Sequence, residues 1–210
     1  LTAVAVVVVA CQGTPEPVAA TEGVPARSRE DLWSQGPSMA TGRSQFSTTL
    51  LLNGKVLITG GLDDAGTELN SVELYDPVTR QFTTLPPMAA PHSAHTASML
   101  HDGRVLIVGK GGPAEILTLL PDGGASFTSA LFPNAAHQWH TATVLDDGRV
   151  MIVGGDPTGK ACDRFALDAG WQPCAPTNEP HRGAAATIVN LPGGGRQLMV
   201  VGGGPASDGG

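Results

Sequence analysis

One apolar strand pattern occurs four times in this chain: Val56-Leu57-Ile58-Thr59-Gly60-Gly61, Val105-Leu106-Ile107-Val108-Gly109-Lys110, Val150-Met151-Ile152-Val153-Gly154-Gly155 and Leu198-Met199-Val200-Val201-Gly202-Gly203. Successive copies are 49, 45 and 48 residues apart. A period in this range marks a supersecondary unit that cannot bury its apolar face alone and does so by stacking on its neighbours. Ahead of the first three copies lies a second apolar strand and a two-residue turn: Phe46 to Leu52 with Asn53-Gly54, His95 to Leu100 with Asp102-Gly103, and His140 to Leu145 with Asp147-Gly148. Asn-Gly and Asp-Gly suit a type I′ hairpin because both central residues need positive φ. The fourth copy has a longer turn, Asn190-Leu191-Pro192-Gly193-Gly194-Gly195.

After the glycine pair the first repeat continues with Ser71-Val72-Glu73-Leu74-Tyr75-Asp76-Pro77 and Gln81-Phe82-Thr83-Thr84-Leu85-Pro86-Pro87-Met88, which makes four strands per unit. Composition agrees. The 28 Gly and 17 Pro exclude a helical bundle, while 41% hydrophobic against 15% charged residues supplies enough apolar surface to fold, so Gly and Pro punctuate turns. With this period, the His95-Thr96-Ala97-Ser98 and His140-Thr141-Ala142-Thr143 segments, the Asp-Gly-Arg-Val turns and the Gly-Gly pairs, the chain resembles kelch-repeat proteins of the exported bacterial lipoprotein type. The resemblance implies an all-β, kelch-type β-propeller of four-stranded antiparallel blades over residues 32–210, with the strands beginning at Phe46, His95, His140 and Ala184 innermost. The aromatic positions of the family are kept as Tyr75 with Phe82 and as Trp171, and Lys110 replaces one glycine. Trp33-Ser34-Gln35-Gly36-Pro37-Ser38-Met39 resembles Phe82 to Met88, a fourth strand with no blade before it. The expected object is an incomplete arc of about 3.5 blades plus one orphan N-terminal strand, truncated at both ends relative to the six or seven blades usual in the family.

The chain opens Leu1-Thr2-Ala3-Val4-Ala5-Val6-Val7-Val8-Val9-Ala10-Cys11. Ten apolar residues are too few to span a bilayer as a helix, and they match the core and cleavage site of a secretory signal. Val8-Val9-Ala10-Cys11 resembles the bacterial lipobox, so residues 1–11 read as a truncated signal with Cys11 as the lipidation site. An ordinary signal peptide or a buried Val-rich strand fits the same residues. Residues 12–31, rich in Pro, Glu and Ala without a hydrophobic period, read as a flexible tether. If Cys11 carries lipid, Cys162 and Cys174 remain for a disulfide across a hairpin, with two unpaired core thiols as the alternative. The expected address is exported, either an envelope lipoprotein held to the membrane only by its lipid or a secreted protein.

A net charge of −7 and 4% aromatic residues supply neither the basic footprint nor the stacking platforms of nucleic-acid binding. Gly154-Gly155-Asp156-Pro157-Thr158-Gly159-Lys160 fits the spacing of a phosphate loop, but Ala161 lacks the hydroxyl for Mg²⁺ and the register makes the segment an inter-strand loop. Histidine placement is more informative. Arg43, His92, His137 and His181 form one repeat column, and Phe46, His95, His140 and Ala184 another three residues on. With Arg182, these side chains would make a ligand-binding rim at one mouth of the channel: Arg43, His92, His95, His137, His140, His181 and Arg182. At least two of the first column are then expected to be solvent-accessible. The competing reading is structural, each imidazole bonding a loop carbonyl of its own blade. No carboxylate or thiol shares the columns, so no metal is expected, nor any other cofactor. Some kelch-like propellers are enzymes, the galactose oxidase group among them, but its copper site needs two Tyr and this chain has only Tyr75. No catalytic set is found. The leading expectation is a recognition module whose loops bind a protein or carbohydrate. The alternative is a secreted propeller enzyme, of the oxidase or sugar-isomerase kind, with its active residues in further blades.

Overall fold

The computed structural model describes residues 5–7, 35–109, 113–131 and 133–205. Cys11, the tether, Trp33 and Lys110 lie outside them. Strands β1 (Ala5–Val7) and β2 (Gln35–Ser38) pair antiparallel. Then follow β3 (Ser47–Leu50), β4 (Val56–Thr59), β5 (Val72–Asp76) and β6 (Gln81–Leu85) as the first blade. The second holds β7 (Thr96–Met99), β8 (Val105–Val108), β9 (Glu115–Leu119) and β10 (Ala125–Ser129), and the third β11 (Thr141–Val144), β12 (Val150–Val153), β13 (Cys162–Ala166) and β14 (Gly170–Pro173). A two-stranded sheet, β15 (Ala185–Asn190) with β16 (Arg196–Val201), begins a fourth. Within each blade every strand pairs with its sequence neighbour, and there is no helix among the described residues. Gly54, Gly103 and Gly148 take positive φ at the hairpins but Asn53, Asp102 and Asp147 do not, so the turns are not the expected type I′: each glycine amide donates to the carbonyl three residues back, as in a type I turn followed by a left-handed glycine.

Strand alternation sorts the apolar residues into two cores that lie between blades. Val105, Ile107 and Leu117 of the second blade pack on Leu57, Leu74, Leu85 and Met88 of the first. Leu106, Val108 and Ile116, on the opposite face, pack on Val150, Ile152 and Phe165 of the third. Each buried aliphatic side chain contributes about 1.5–3 kcal/mol, so stability resides in the stacking of blades. The first strands of consecutive blades are innermost. Thr49 Oγ1 donates to the Ala97 carbonyl at 2.8 Å, and the Ala97 amide donates to Ser47 Oγ at 3.1 Å. The arc of four-stranded antiparallel blades is therefore the one that the repeat pattern predicts.

Aromatic pairs close the outer strands. Tyr75 and Phe82 lie 4.9 Å apart, centroid to centroid, and Phe165 and Trp171 5.0 Å, with the Trp171 indole N–H donating to the Ala130 carbonyl at 2.7 Å. Gln35–Ser38 leads into Met39, which is buried on Ile58 and Tyr75 of the first blade much as Met88 is buried against the second. That placement matches the register expected of an outer strand preceding a blade. Cys162 and Cys174 are disulfide-bonded across the third blade's outer hairpin, with Cα atoms 5.1 Å apart.

Candidate functional site

The strand-one segments begin at one end of the blades and the hairpin turns lie at the other. At the first end, the glycine that closes strand two lets the next repeat's loop cross its backbone. A Cβ on Gly60 would lie 2.3 Å from the His92 carbonyl oxygen, and one on Gly154 equally close to that of His181. This proximity, and φ of +57° and +76°, restricts both positions to glycine.

Into that crossing each repeat inserts a cationic or imidazole side chain. The Arg43 guanidinium donates to the Gly60 carbonyl at 2.8 Å and to Glu73 Oε1 at 2.6 Å. In the third blade, His137 Nδ1 donates to the Gly154 carbonyl at 2.7 Å and Nε2 meets Asp163 Oδ2 at 2.9 Å. The second blade has a looser version, His92 Nε2 to Glu115 Oε1 at 3.4 Å, and His92 Nδ1 has no partner among the described residues. The acid also gathers the backbone leaving the preceding outer strand: the Ala40, Ala89 and Ala135 amides donate to Glu73, Glu115 and Asp163 at 2.9, 2.9 and 3.0 Å. Burial opposes ionisation of Glu115, but hydrogen bonds from His92, Ala89 and Ala90 together outweigh it and hold its pKa below 4.5. Each bracket therefore ties three segments: the loop from the blade before, the glycine crossing and strand three.

These contacts correct the rim expectation for the first column. Arg43, His92 and His137 are 5%, 0% and 1% exposed and spend their polar atoms inside the protein, so they are not open to a ligand. The reason is chemical: a buried carboxylate on strand three needs a cationic or imidazole partner. His181, half-exposed, makes only the carbonyl contact, Nδ1 to Gly202 at 2.9 Å.

The rim expectation is corrected for His95 and His140 of the second column too, which are buried and not open to a ligand. His95 and His140 are more than nine-tenths buried, with Nε2 bonded to Thr59 Oγ1 at 2.8 Å and Thr96 Oγ1 at 2.7 Å, and both Nδ1 atoms lack a partner among the described residues. Burial first, then the neighbouring His92 for one and His137 for the other, pushes each ring's pKa down to about 3. Both are neutral at ordinary pH. The preceding residues, Gln45, Ala94, Trp139 and Gly183, all take positive φ and form a backbone arc. The Ala94 amide donates to the Gln45 carbonyl at 3.0 Å, Trp139 to Ala94 at 3.0 Å, and Gly183 to Trp139 at 2.7 Å. Gln45, Phe46, Ala94, His95, Trp139, His140, Gly183 and Ala184 line a cavity of about 270 Å³ at this mouth. A second depression, between Trp139, Arg182, Gly183 and Pro205, adjoins it.

At the turn end a larger concavity of about 580 Å³ lies between His101, Asp102, Asp147, Arg149, Arg164 and Asp168. Three of its charges are already paired: Arg149 with Asp147, Nε to Oδ2 at 2.7 Å, and Asp102 with Arg104, Oδ2 to Nε at 2.7 Å. The loop with phosphate-loop spacing serves itself, as Asp156 accepts from Thr158 Oγ1 at 2.6 Å and the Ala161 amide at 2.8 Å. Among the described residues no group of three His, Cys, Asp or Glu converges as a metal site requires.

Comparison with known proteins agrees with this architecture. The family model described as Kelch motif matches residues 45–89, the first blade with its lead-in and outgoing loop. That segment of the chain matches one kelch motif. The F-box/kelch-repeat protein SKIP30 of Arabidopsis thaliana is 27% identical over 79 residues, covering 38% of this chain and 22% of that protein. The F-box/kelch-repeat protein At4g39590 of the same plant is 30% identical over 91 residues, 39% of this chain and 22% of its own length. The chain thus spans about a fifth of the curated relatives it matches. Among solved structures, YjhT superposes with a TM-score of 0.60 at 16% identity, over 75% of this chain and 60% of that one. That likeness concerns the fold, and kelch repeats generally mediate protein binding.

Proposed function

We propose that the protein is a recognition module of the cell exterior or envelope, which binds a protein or glycan at the mouth formed by its inter-blade loops. The observation that carries this reading is the division of labour at the mouth. Buried brackets hold the loops rigid without a ligand, and the residues beside them, Phe46 and Trp139 above all, stay exposed around a cavity. Fixed loops bearing exposed aromatics are what a preorganised binding surface needs. The Cys162–Cys174 disulfide supports an oxidising compartment, and the proposed anchor is lipid on Cys11.

The test is capture by the full chain, immobilised, of envelope proteins and of arrayed glycans. Gln45→Ala with Phe46→Ala is expected to weaken capture at least about tenfold, and His101→Ala with Arg164→Ala, at the turn end, to leave it unchanged. The reverse pattern refutes the placement of the site. Incorporation of labelled palmitate into the native precursor but not into Cys11→Ala tests the address.

A further inference from the structure

The structure assigns Asn53 as a site of spontaneous covalent modification, where the side-chain amide is lost to water and an aspartate or isoaspartate takes its place. This goes beyond the recognition reading and does not rest on it.

The reaction is a ring closure followed by hydrolysis. The backbone nitrogen of Gly54 gives its proton to solvent base and bonds to Asn53 Cγ. The Cγ–Nδ2 bond breaks, and Nδ2 takes up a proton and leaves as ammonia. Water then opens the succinimide ring. Cleavage between the nitrogen and Cγ gives aspartate, and cleavage between the nitrogen and the main-chain carbonyl carbon gives isoaspartate, with the chain running through Cγ.

The first blade's hairpin favours this step. Asn53 Oδ1 accepts the Lys55 amide at 3.1 Å, which polarises Cγ and stabilises the oxyanion that forms on it. Nδ2, the leaving group, makes no hydrogen bond among the described residues. Gly54 has no Cβ to hinder attack, and nothing lies within 4 Å of the place one would take, so water reaches the turn. The Gly54 amide is held by the Leu51 carbonyl at 2.9 Å and is freed by local opening of a turn whose residues 52–54 are all exposed.

The other four asparagines lack this combination. Asn70 and Asn134 spend Nδ2 on the Met88 carbonyl at 3.2 Å and on Asp163 Oδ1 at 2.8 Å, and the Ala135 amide that would attack Asn134 is held by Asp163 as well. Asn178 and Asn190 are followed by Glu179 and Leu191, whose side chains crowd the attacking nitrogen.

The repeats show that the product fits. Asp102 and Asp147 stand where Asn53 does, and their Oδ1 atoms accept the Arg104 and Arg149 amides at the same 3.1 Å. Their Oδ2 atoms accept from the arginine Nε at 2.7 Å, whereas Asn53 presents an amide donor there and Lys55 turns to Asp76, 3.1 Å away. Deamidation therefore writes into the first blade the acid that the second and third already carry.

Peptide mapping by mass spectrometry, on the full chain held at mildly alkaline pH, tests this. A gain of about 1 Da, with isoaspartate detected by methyltransferase labelling, should accumulate at Asn53 at least about tenfold faster than at any other asparagine. Asn53→Gln should abolish both signals in that peptide. Asn53→Asp should keep the native urea midpoint, since an exposed ion pair with Lys55 contributes little. Conversion at Asn53 no faster than at the other asparagines overturns the site, and a lowered midpoint in Asn53→Asp overturns the claim that the turn accepts the product.

Discussion

Acidification should destabilise this fold well before its carboxylates titrate. His95 and His140 are held neutral by burial, with pKa values near 3 against an ordinary 6.5. The unfolded chain therefore binds protons that the folded chain refuses, and stability falls as pH drops below about 6.5. Between about pH 7.5 and pH 5 each imidazole is expected to remove about 2 kcal/mol, and the two together about 4 kcal/mol, a large share of the 5–15 kcal/mol typical of a domain. Glu115 contributes in the opposite pH region. Its depressed pKa gives stability that is lost only as pH falls below 4.5, so it leaves this window clear. Urea unfolding at a series of pH values, for the native chain and for His95→Gln with His140→Gln, measures the effect. The glutamine amides can keep the contacts to Thr59 and Thr96 without titrating. The native curve should fall by about 4 kcal/mol more than the variant curve, and each single variant should remove about half of that difference. Parallel curves would mean that both rings protonate freely in the folded state, and the argument from burial would be wrong.

Two further outcomes follow from contacts elsewhere. Asp163→Ala leaves His137, Asn134 and the Ala135 amide without their shared partner inside the third blade and should cost about 3 kcal/mol or more, read as a lowered urea midpoint. Cys162→Ala with Cys174→Ala opens a loop of about a dozen residues and should cost about 3 kcal/mol, matched by reductant on the native chain. A native chain indifferent to reductant would show that the bond contributes nothing.

Strands, turn positions and blade order were legible because their signals are local: Asn-Gly and Asp-Gly at the hairpins, though not as the type I′ turns expected, glycine pairs at the crossings, alternation within each strand. The column of Arg43, His92 and His137 was legible as a column, and its burial was not. The contact to the glycine carbonyl falls at a constant separation of 17 residues in the first and third blades, but the partner acids lie 30, 23 and 26 residues away. No fixed spacing announces them. The available signal was an acid set among apolar residues, as in Val72-Glu73-Leu74, since a strand buried on both faces tolerates a carboxylate only with a partner. Trp139 escaped for another reason. Its backbone conformation comes from the inter-blade arc, and nothing near it in sequence encodes a positive φ.

The unequal separations of the bracket partners have a further consequence. A clamp that closes at 2.6 Å over 30 residues and at 2.9 Å over 26 does not measure the chain it closes on. The variable length lies largely between strands two and three, and that loop emerges at the mouth. Closing a longer flexible loop costs only about 0.6 kcal/mol for each doubling of its length. New sequence can therefore be inserted there, by mutation or by design, and displayed beside the cavity while the scaffold keeps its register.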